Sequence, residues 1–239
     1  AFSRIVLTGT CKNVFDYTAN PLGSNVVTAA WSNGSTALKG YSVTGITLTA
    51  PVVLSANYYD DYEFLGKNGI PDDATTGYSE MSGYGKRYSG GCKGQLTGNW
   101  TARLTSQLAG STYSVMYYDD RYRVIQRKGN NSLNGMEAVY TSYNFEGSPV
   151  KEKRVHSVPG QDIITEVRNH TYDLANRLLQ TTYQLNDDAP VILVDNVYDE
   201  IGRLKTEKRT GHSKLRTDYT YNLRSWTKGI NGPLFHQTL

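Results

Sequence analysis

The sequence predicts an all-β chain of successive antiparallel β-hairpins forming a curved, repeat-built sheet, on three observations. Strand-length runs of alternating or β-branched residues recur through most of the 239 residues. Turn segments opening on Tyr-Asp or Tyr-Asn separate many of them, and the corner tyrosines Tyr118, Tyr143, Tyr172, Tyr198 and Tyr221 lie 25, 29, 26 and 23 residues apart, one hairpin per period. The composition agrees: 19 Tyr against 5 Phe and 23 Gly against 7 Pro suit half-wet strands and tight turns better than a helical core.

Taken in order, residues 4–17 are β-branched and interrupted by Gly9, which predicts one bulged strand or two short ones. Residues 20–25 read as a turn, and residues 26–31 and 41–49 as strands with Asn33-Gly34 as a hairpin signal between them. Pro51 places the strand at 52–59 on an edge or at its own start. Residues 66–94 hold eight glycines in 29 positions and read as a long loop, functional or covering a sheet edge, with a short helix starting at Pro71–Asp73 as the one regular element allowed.

Past that loop the chain repeats itself. Val6-Leu7-Thr8-Gly9 and Tyr58-Tyr59-Asp60-Asp61 match Gln95-Leu96-Thr97-Gly98 and Tyr117-Tyr118-Asp119-Asp120 at offsets of 89 and 59, so the first copy carries about thirty extra residues, mostly 20–40. From Tyr113 the predicted hairpins pair 113–118 with 122–128, 137–144 with 150–156, 163–172 with 177–184, 191–198 with 203–209 and 216–221 with 225–229. The domain reading is an N-terminal β arm over 1–94, with its Gly-rich loop, and hairpin repeats over 95–239, the two either separate or continuous as one unit.

Tyr198-Asp199-Glu200-Ile201-Gly202-Arg203-Leu204 shows the corner best. Asp199 is placed to bond its own backbone two residues on, and Gly202 supplies positive φ before the return strand. Tyr172-Asp173-Leu174-Ala175-Asn176-Arg177-Leu178 differs by Asn176, the residue next best able to hold positive φ. Tyr118-Asp119-Asp120-Arg121-Tyr122 has Tyr122 at that position, Tyr221-Asn222 replaces the Asp, Tyr143-Asn144-Phe145-Glu146-Gly147 keeps the Gly without Arg-Leu, and Tyr59-Asp60-Asp61-Tyr62 is a weak copy in the first arm.

Net charge is +3 and evenly shared, with 8 basic and 7 acidic side chains in residues 1–112 and 17 and 15 in 113–239, so neither half forms a nucleic-acid face. No apolar run is long enough for a membrane span. Cys11 and Cys92 allow one bridge or two free thiols, but no cysteine zinc site, and no cofactor or metal site is expected. The chain opens on Ala1-Phe2-Ser3-Arg4, without an initiator Met or a signal-peptide pattern, and reads as an excerpt of a longer one.

Four acidic pairs, Asp60-Asp61, Asp72-Asp73, Asp119-Asp120 and Asp187-Asp188, are the candidates for carboxylate chemistry or calcium. Adjacent strand residues face opposite ways and all four pairs fall at turns, so turn hydrogen bonding is the preferred reading. His156, His170, His212 and His236 have no short metal spacing, and no nucleophile elbow or phosphate loop is present. Catalytic residues are therefore expected to be absent. Tyr and Trp side chains, with Trp31, Trp100 and Trp226 as possible glycan contacts, offer either a sugar platform or cross-strand packing that fixes register.

The corners resemble those of the Rhs or YD-repeat proteins of bacteria, whose core is Tyr-Asp-x-x-Gly-Arg-Leu, met by residues 198–204 at every fixed position. The resemblance is good over 95–239 and weaker before. It implies an extracellular or cell-surface chain, the repeats being an open fragment of a β-shell that encloses or displays a C-terminal effector, often a toxin. It also implies that the partners are other segments of the same larger protein, with an effector or a surface glycan beyond it. On this reading the chain is a non-enzymatic scaffold; the alternative is a carbohydrate-binding surface module using exposed Tyr and Trp. Tyr118, Asp119, Tyr172, Asp173, Asn176, Arg177, Leu178, Tyr198, Asp199, Gly202, Arg203, Leu204 and Tyr221 are then repeat-motif residues with structural roles.

Overall fold

The computed structural model describes residues 4–13, 26–33, 37–104, 110–210 and 213–239. The turn expected at 20–25, the end of the first strand past residue 13, Gly34 and His212 lie outside them. Among the described residues the regular structure is sixteen strands and one 3₁₀ turn (Ser213–Leu215), with no α-helix. Fourteen strands belong to antiparallel ladders that follow chain order; the other two pair only with each other.

The chain forms two compact units, residues 1–81 with 86–138, and residues 82–85 with 139–239. No division falls at residue 94. The reason is a ladder: the last strand of the arm pairs with the first strand of the repeats, with Tyr58 opposite Gly98 and Ala56 opposite Trp100.

The first unit contains β1 (Leu7–Thr10), β2 (Thr28–Trp31), β3 (Tyr41–Thr44), β4 (Val52–Asp60), β5 (Cys92–Ala102), β6 (Ser111–Tyr118) and β7 (Val124–Asn130). Its main ladder runs β1-β4-β5-β6-β7, and β2 with β3 is a separate hairpin. The bulge expected at Gly9 is present, since the β1–β4 register slips between Thr8 and Gly9, where a Cβ would lie 2.2 Å from the Val52 carbonyl oxygen.

The core lies in this unit. Tyr58, Trp100, Val115, Tyr117 and Ile125 on the strands and Phe64, Ile70 and Thr76 of the segment between β4 and β5 are all buried, with Phe64 stacked on Tyr58 and Thr76 O bonded by Tyr117. That segment is no edge cover: it lies on the sheet face. Instead of the short helix it makes one turn, with the Thr76 and Gly77 amides donating to the Asp73 carbonyl. The glycines stop it from propagating. Three side chains from β6 and β7 hold it down. Tyr117 Oη donates to Thr76 O at 2.9 Å. Gln126 exchanges two hydrogen bonds with the Ser79 backbone. Buried Lys128 donates to Ala74 O, Gly77 O and Ser79 Oγ at 3.2, 2.7 and 3.0 Å.

The second unit takes most of β8 (Met136–Tyr143), then β9 (Pro149–Ser157), β10 (Ile164–Tyr172), β11 (Leu178–Leu185), β12 (Val191–Tyr198), β13 (Leu204–Arg209), β14 (Arg216–Tyr221), β15 (Thr227–Asn231) and β16 (His236–Thr238). They pair in chain order, matching the predicted hairpins within a few residues. Few of its side chains are buried. Both faces are half-wet and carry cross-strand polar sets such as Glu152–His170–Thr181, Lys208–Asp195 and Thr206–Asp218–Arg216. Ladder bonds and these pairs, rather than a deep core, hold this sheet.

Candidate functional site

The repeated site is the hairpin corner, and the second unit shows how it is built. At Asp173 the Asn176 amide donates to the Asp173 carbonyl and the Asp173 amide to the Arg177 carbonyl, both at 3.0 Å. This is a type I turn closed by a residue in the left-handed region, Asn176 at φ 58°, and followed by a bulge that shifts Tyr172 opposite Leu178. The Asp173 side chain completes it. Its Oδ1 accepts from the Ala175 and Arg177 amides at 2.9 Å, and its Oδ2 from Arg177 Nε at 2.5 Å.

Asp199 does the same with the Ile201 and Arg203 amides and Arg203 Nε, around Gly202 at φ 88°. In the first unit Asp119 does so with the Arg121 and Arg123 amides and Arg123 Nε. Asn222 keeps the amide bonds through Oδ1, from Arg224 and Trp226, with Ser225 in the left-handed position. Asn144, with Gly147 at φ 98°, accepts from the Ser148 amide.

Successive corners are tied together. Tyr198 Oη donates to Leu178 O at 3.0 Å and Tyr221 Oη to Leu204 O at 2.8 Å, in each case the carbonyl of the motif leucine one hairpin earlier. Tyr172 Oη donates to Pro149 O, the same position of its predecessor. The arginines point the other way. Arg177 lies over the Tyr198 ring and Arg203 over the Tyr221 ring, each 4.7 Å from the centroid, and Arg203 Nη1 also donates to Asn222 O. The motif arginines thus have two jobs, closing their own turn and covering the next tyrosine.

Both carboxyls sit below the ordinary carboxylate range. At Asp173 the bond from the Arg177 amide is the main cause; at Asp199 partial desolvation is the largest influence and opposes the shift, but the bonds from Arg203 together outweigh it. A carboxyl depressed by folding stabilises the fold above its unfolded pKa of about 3.9 and loses that contribution as pH falls through the folded value. Asp173→Asn should therefore lower the thermal midpoint at pH 7, and the deficit should shrink as the pH is taken from 4 toward 2. A deficit constant with pH would show that the charge is not used.

Gly202 faces a second constraint besides φ. A Cβ there would lie 2.4 Å from Arg177 Nη1, the end of a side chain able to move. Gly202→Val should cost about 2 kcal/mol or more, chiefly from forcing a β-branched residue into the left-handed region. Gly202→Asn should be much milder, as Asn176 shows. Equal thermal midpoints for wild type and Gly202→Val would sink this account.

Two corners depart from expectation. Asp60, in the weak first copy, forms no such turn: it sits at φ 77°, pairs through both carboxylate oxygens with Arg4 and accepts from the Gly94 amide, so the chain leaves the sheet for the covering segment. Conversely, sequence reading missed a corner at Asn131, whose Oδ1 accepts from the Leu133 and Gly135 amides, with Asn134 at φ 60°. Arg103 braces it through Asn134 Oδ1 and Asn131 O. The signal was the Asn131-x-x-Asn134 spacing, hidden because no tyrosine precedes it.

The acidic pairs act in turns: Asp61 Oδ1 accepts from the Glu63 amide, Asp73 Oδ1 from the Thr75 amide, and the Asp188 amide closes a turn on Leu185 O. Among the described residues no group of three His, Cys, Asp or Glu side chains is placed to hold a metal. His170 lies between Thr181 Oγ1 and Glu152 Oε2, and His236 against Asn231 Oδ1. Cys11 and Cys92 are unbridged; the Cys92 thiol donates to Asp60 O, and burial pushes its pKa up.

Of the three tryptophans, Trp100 cannot serve as a platform. It is buried, with Lys39 Nζ 3.7 Å from its ring centroid. Trp31 is packed edge-on to Tyr41 and Tyr58, and its indole N–H donates to Glu63. Only Trp226 of the three is largely exposed.

Tyr122 is the least expected residue of the corners, a bulky side chain held at φ 58°, a strain of roughly 1–2 kcal/mol. Its ring meets Tyr88 edge-on, with centroids 6.5 Å apart.

No family model and no curated protein matches the chain. Among solved structures, a chain of the crystal structure of TcdB2-TccC3-Cdc42 is similar at a TM-score of 0.32 and 8% identity, over 80% of this chain and 11% of that one. The protein therefore spans about a tenth of the chain it resembles there. Among the described residues no helix is long and apolar enough to cross a membrane.

Proposed function

We propose that the chain is a non-enzymatic scaffold: a run of interlocked hairpins within a larger exported or cell-surface protein, forming part of a β-shell that encloses or displays an effector. The observation that carries this is the corner-to-corner clamp, in which Tyr198 and Tyr221 bond back to Leu178 and Leu204 while Arg177 and Arg203 cover the next tyrosine. These side chains are spent on one another, and the same geometry recurs at the repeat period, as a wall requires and a single active site does not. Corner aspartates paired with arginine and backbone amides do turn work.

The test uses the full-length parent protein. Limited proteolysis of the intact protein should leave the segment following the repeats protected, and Gly202→Val combined with Tyr198→Phe should expose it. Equal cleavage in wild type and variant would overturn the enclosing role, and protection from protease added to intact cells would overturn the surface location.

A further inference from the structure

The first unit contains a cleft of about 280 Å³ beside the Tyr118 corner, walled by Tyr62, Tyr78, Tyr88 and Tyr118, with Arg87, Ser89 and Gly91 at its rim. We propose that it binds an acidic monosaccharide, a pyranose carrying a carboxylate. This reading does not rest on the scaffold reading: it shares Tyr118 and Tyr122 with one corner, but its charge, Arg87, and the walls Tyr62, Tyr78 and Tyr88 come from the segment between β4 and β5.

Arg87 supplies the charge. Its guanidinium lies 4.6 Å from the Tyr62 ring centroid and 5.3 Å from that of Tyr117, so two rings orient it. Among the described residues no carboxylate lies within ion-pair distance of it. A guanidinium fixed by stacking presents its N–H edge for two-point contact with a carboxylate at little further ordering cost.

The walls select the rest of the ligand. Tyrosine faces accept the C–H face of a sugar ring, while Tyr78 Oη, which already accepts from the Arg87 amide, and Ser89 Oγ meet sugar hydroxyls. An apolar carboxylate would bury those hydroxyls without partners, and a bare phosphate would leave the rings uncovered. The volume falls just under the roughly 300–1,000 Å³ usual for drug-sized ligands, which fits one sugar ring. Gly91, at φ 100°, has nothing within 4 Å of where a Cβ would stand, leaving the rim open.

The architecture of the wall explains the strained corner. Tyr88 folds onto Gly90, where a Cβ would lie 2.2 Å from its Cζ, and its amide donates to Tyr118 O. Tyr122 supports its ring from the corner side. Strained backbone clusters at functional sites, and Tyr122 at φ 58° stands beside this cleft.

Calorimetric titration of the intact chain with D-glucuronate and N-acetylneuraminate, against D-glucose and inorganic phosphate, tests the proposal. At least one acidic sugar should bind about tenfold or more tightly than glucose and phosphate. Arg87→Met should weaken that binding about tenfold or more with the thermal midpoint unchanged. Tyr122→Gly should also weaken it while holding or raising the midpoint, because strain is relieved as the support of Tyr88 is lost. No binding of either acid at millimolar concentration, equal binding of glucose or phosphate, or an Arg87→Met variant that binds normally would overturn it.

Discussion

Gly98→Ala is expected to lower the stability of the first unit by about 3 kcal/mol, the upper range for overpacking a core. Gly98 has an ordinary strand conformation, so the effect comes from space alone. A Cβ there would stand 2.3 Å from Phe64 Cζ and 2.5 Å from Cε2. Phe64 cannot easily yield: it is 1% exposed and stacked on Tyr58, with centroids 4.4 Å apart and planes 12° from parallel. Denaturant unfolding measures the loss. Because the clash is with one ring, Phe64→Leu in the same chain should restore part of it, so the two substitutions should be clearly non-additive. Additive costs would mean that Gly98 matters for another reason.

Lys128→Met should cost a comparable amount, about 3 kcal/mol, by a different mechanism. The side chain is 4% exposed and its ammonium ends on three acceptors of residues 74–79. Methionine keeps the volume and removes all three bonds, leaving carbonyls at the end of a single turn without their cation. Hydrogen exchange should accelerate at the Thr76 and Gly77 amides, which bond to Asp73 O, while the β4–β5 ladder stays protected. If exchange speeds up uniformly, the lysine supports the sheet as a whole and not the covering segment.

Both expectations concern the segment between β4 and β5, which includes the Gly-rich stretch and is where the sequence is least legible. Eight glycines and few strand residues in 66–94 read as a long loop, either functional or covering a sheet edge. Local pattern carries no sign that Phe64, Ile70 and Thr76 would form one half of a core whose other half comes from strands up to sixty residues later. The same applies to Trp100, a plausible sugar platform until Lys39 is seen on its face. Nor does the sequence show that Tyr62, Tyr78, Tyr88 and Tyr118, scattered over 57 positions, wall one cleft with Arg87.

The corners were legible because their physics is local. Asp or Asn at the first position, a residue able to hold positive φ three later, and a bulge into the return strand lie within six residues, and backbone sterics impose them whatever surrounds them. The period of those corners determined strand order, register and the all-β class, since a short hairpin turn can pair only neighbouring strands. What only the tertiary structure decided was which surfaces meet. Long-range burial depends on whether distant segments arrive with matching shape and charge, as Phe64 does over the bare Cα of Gly98 and the 74–79 carbonyls do over Lys128, and no local spacing encodes that meeting.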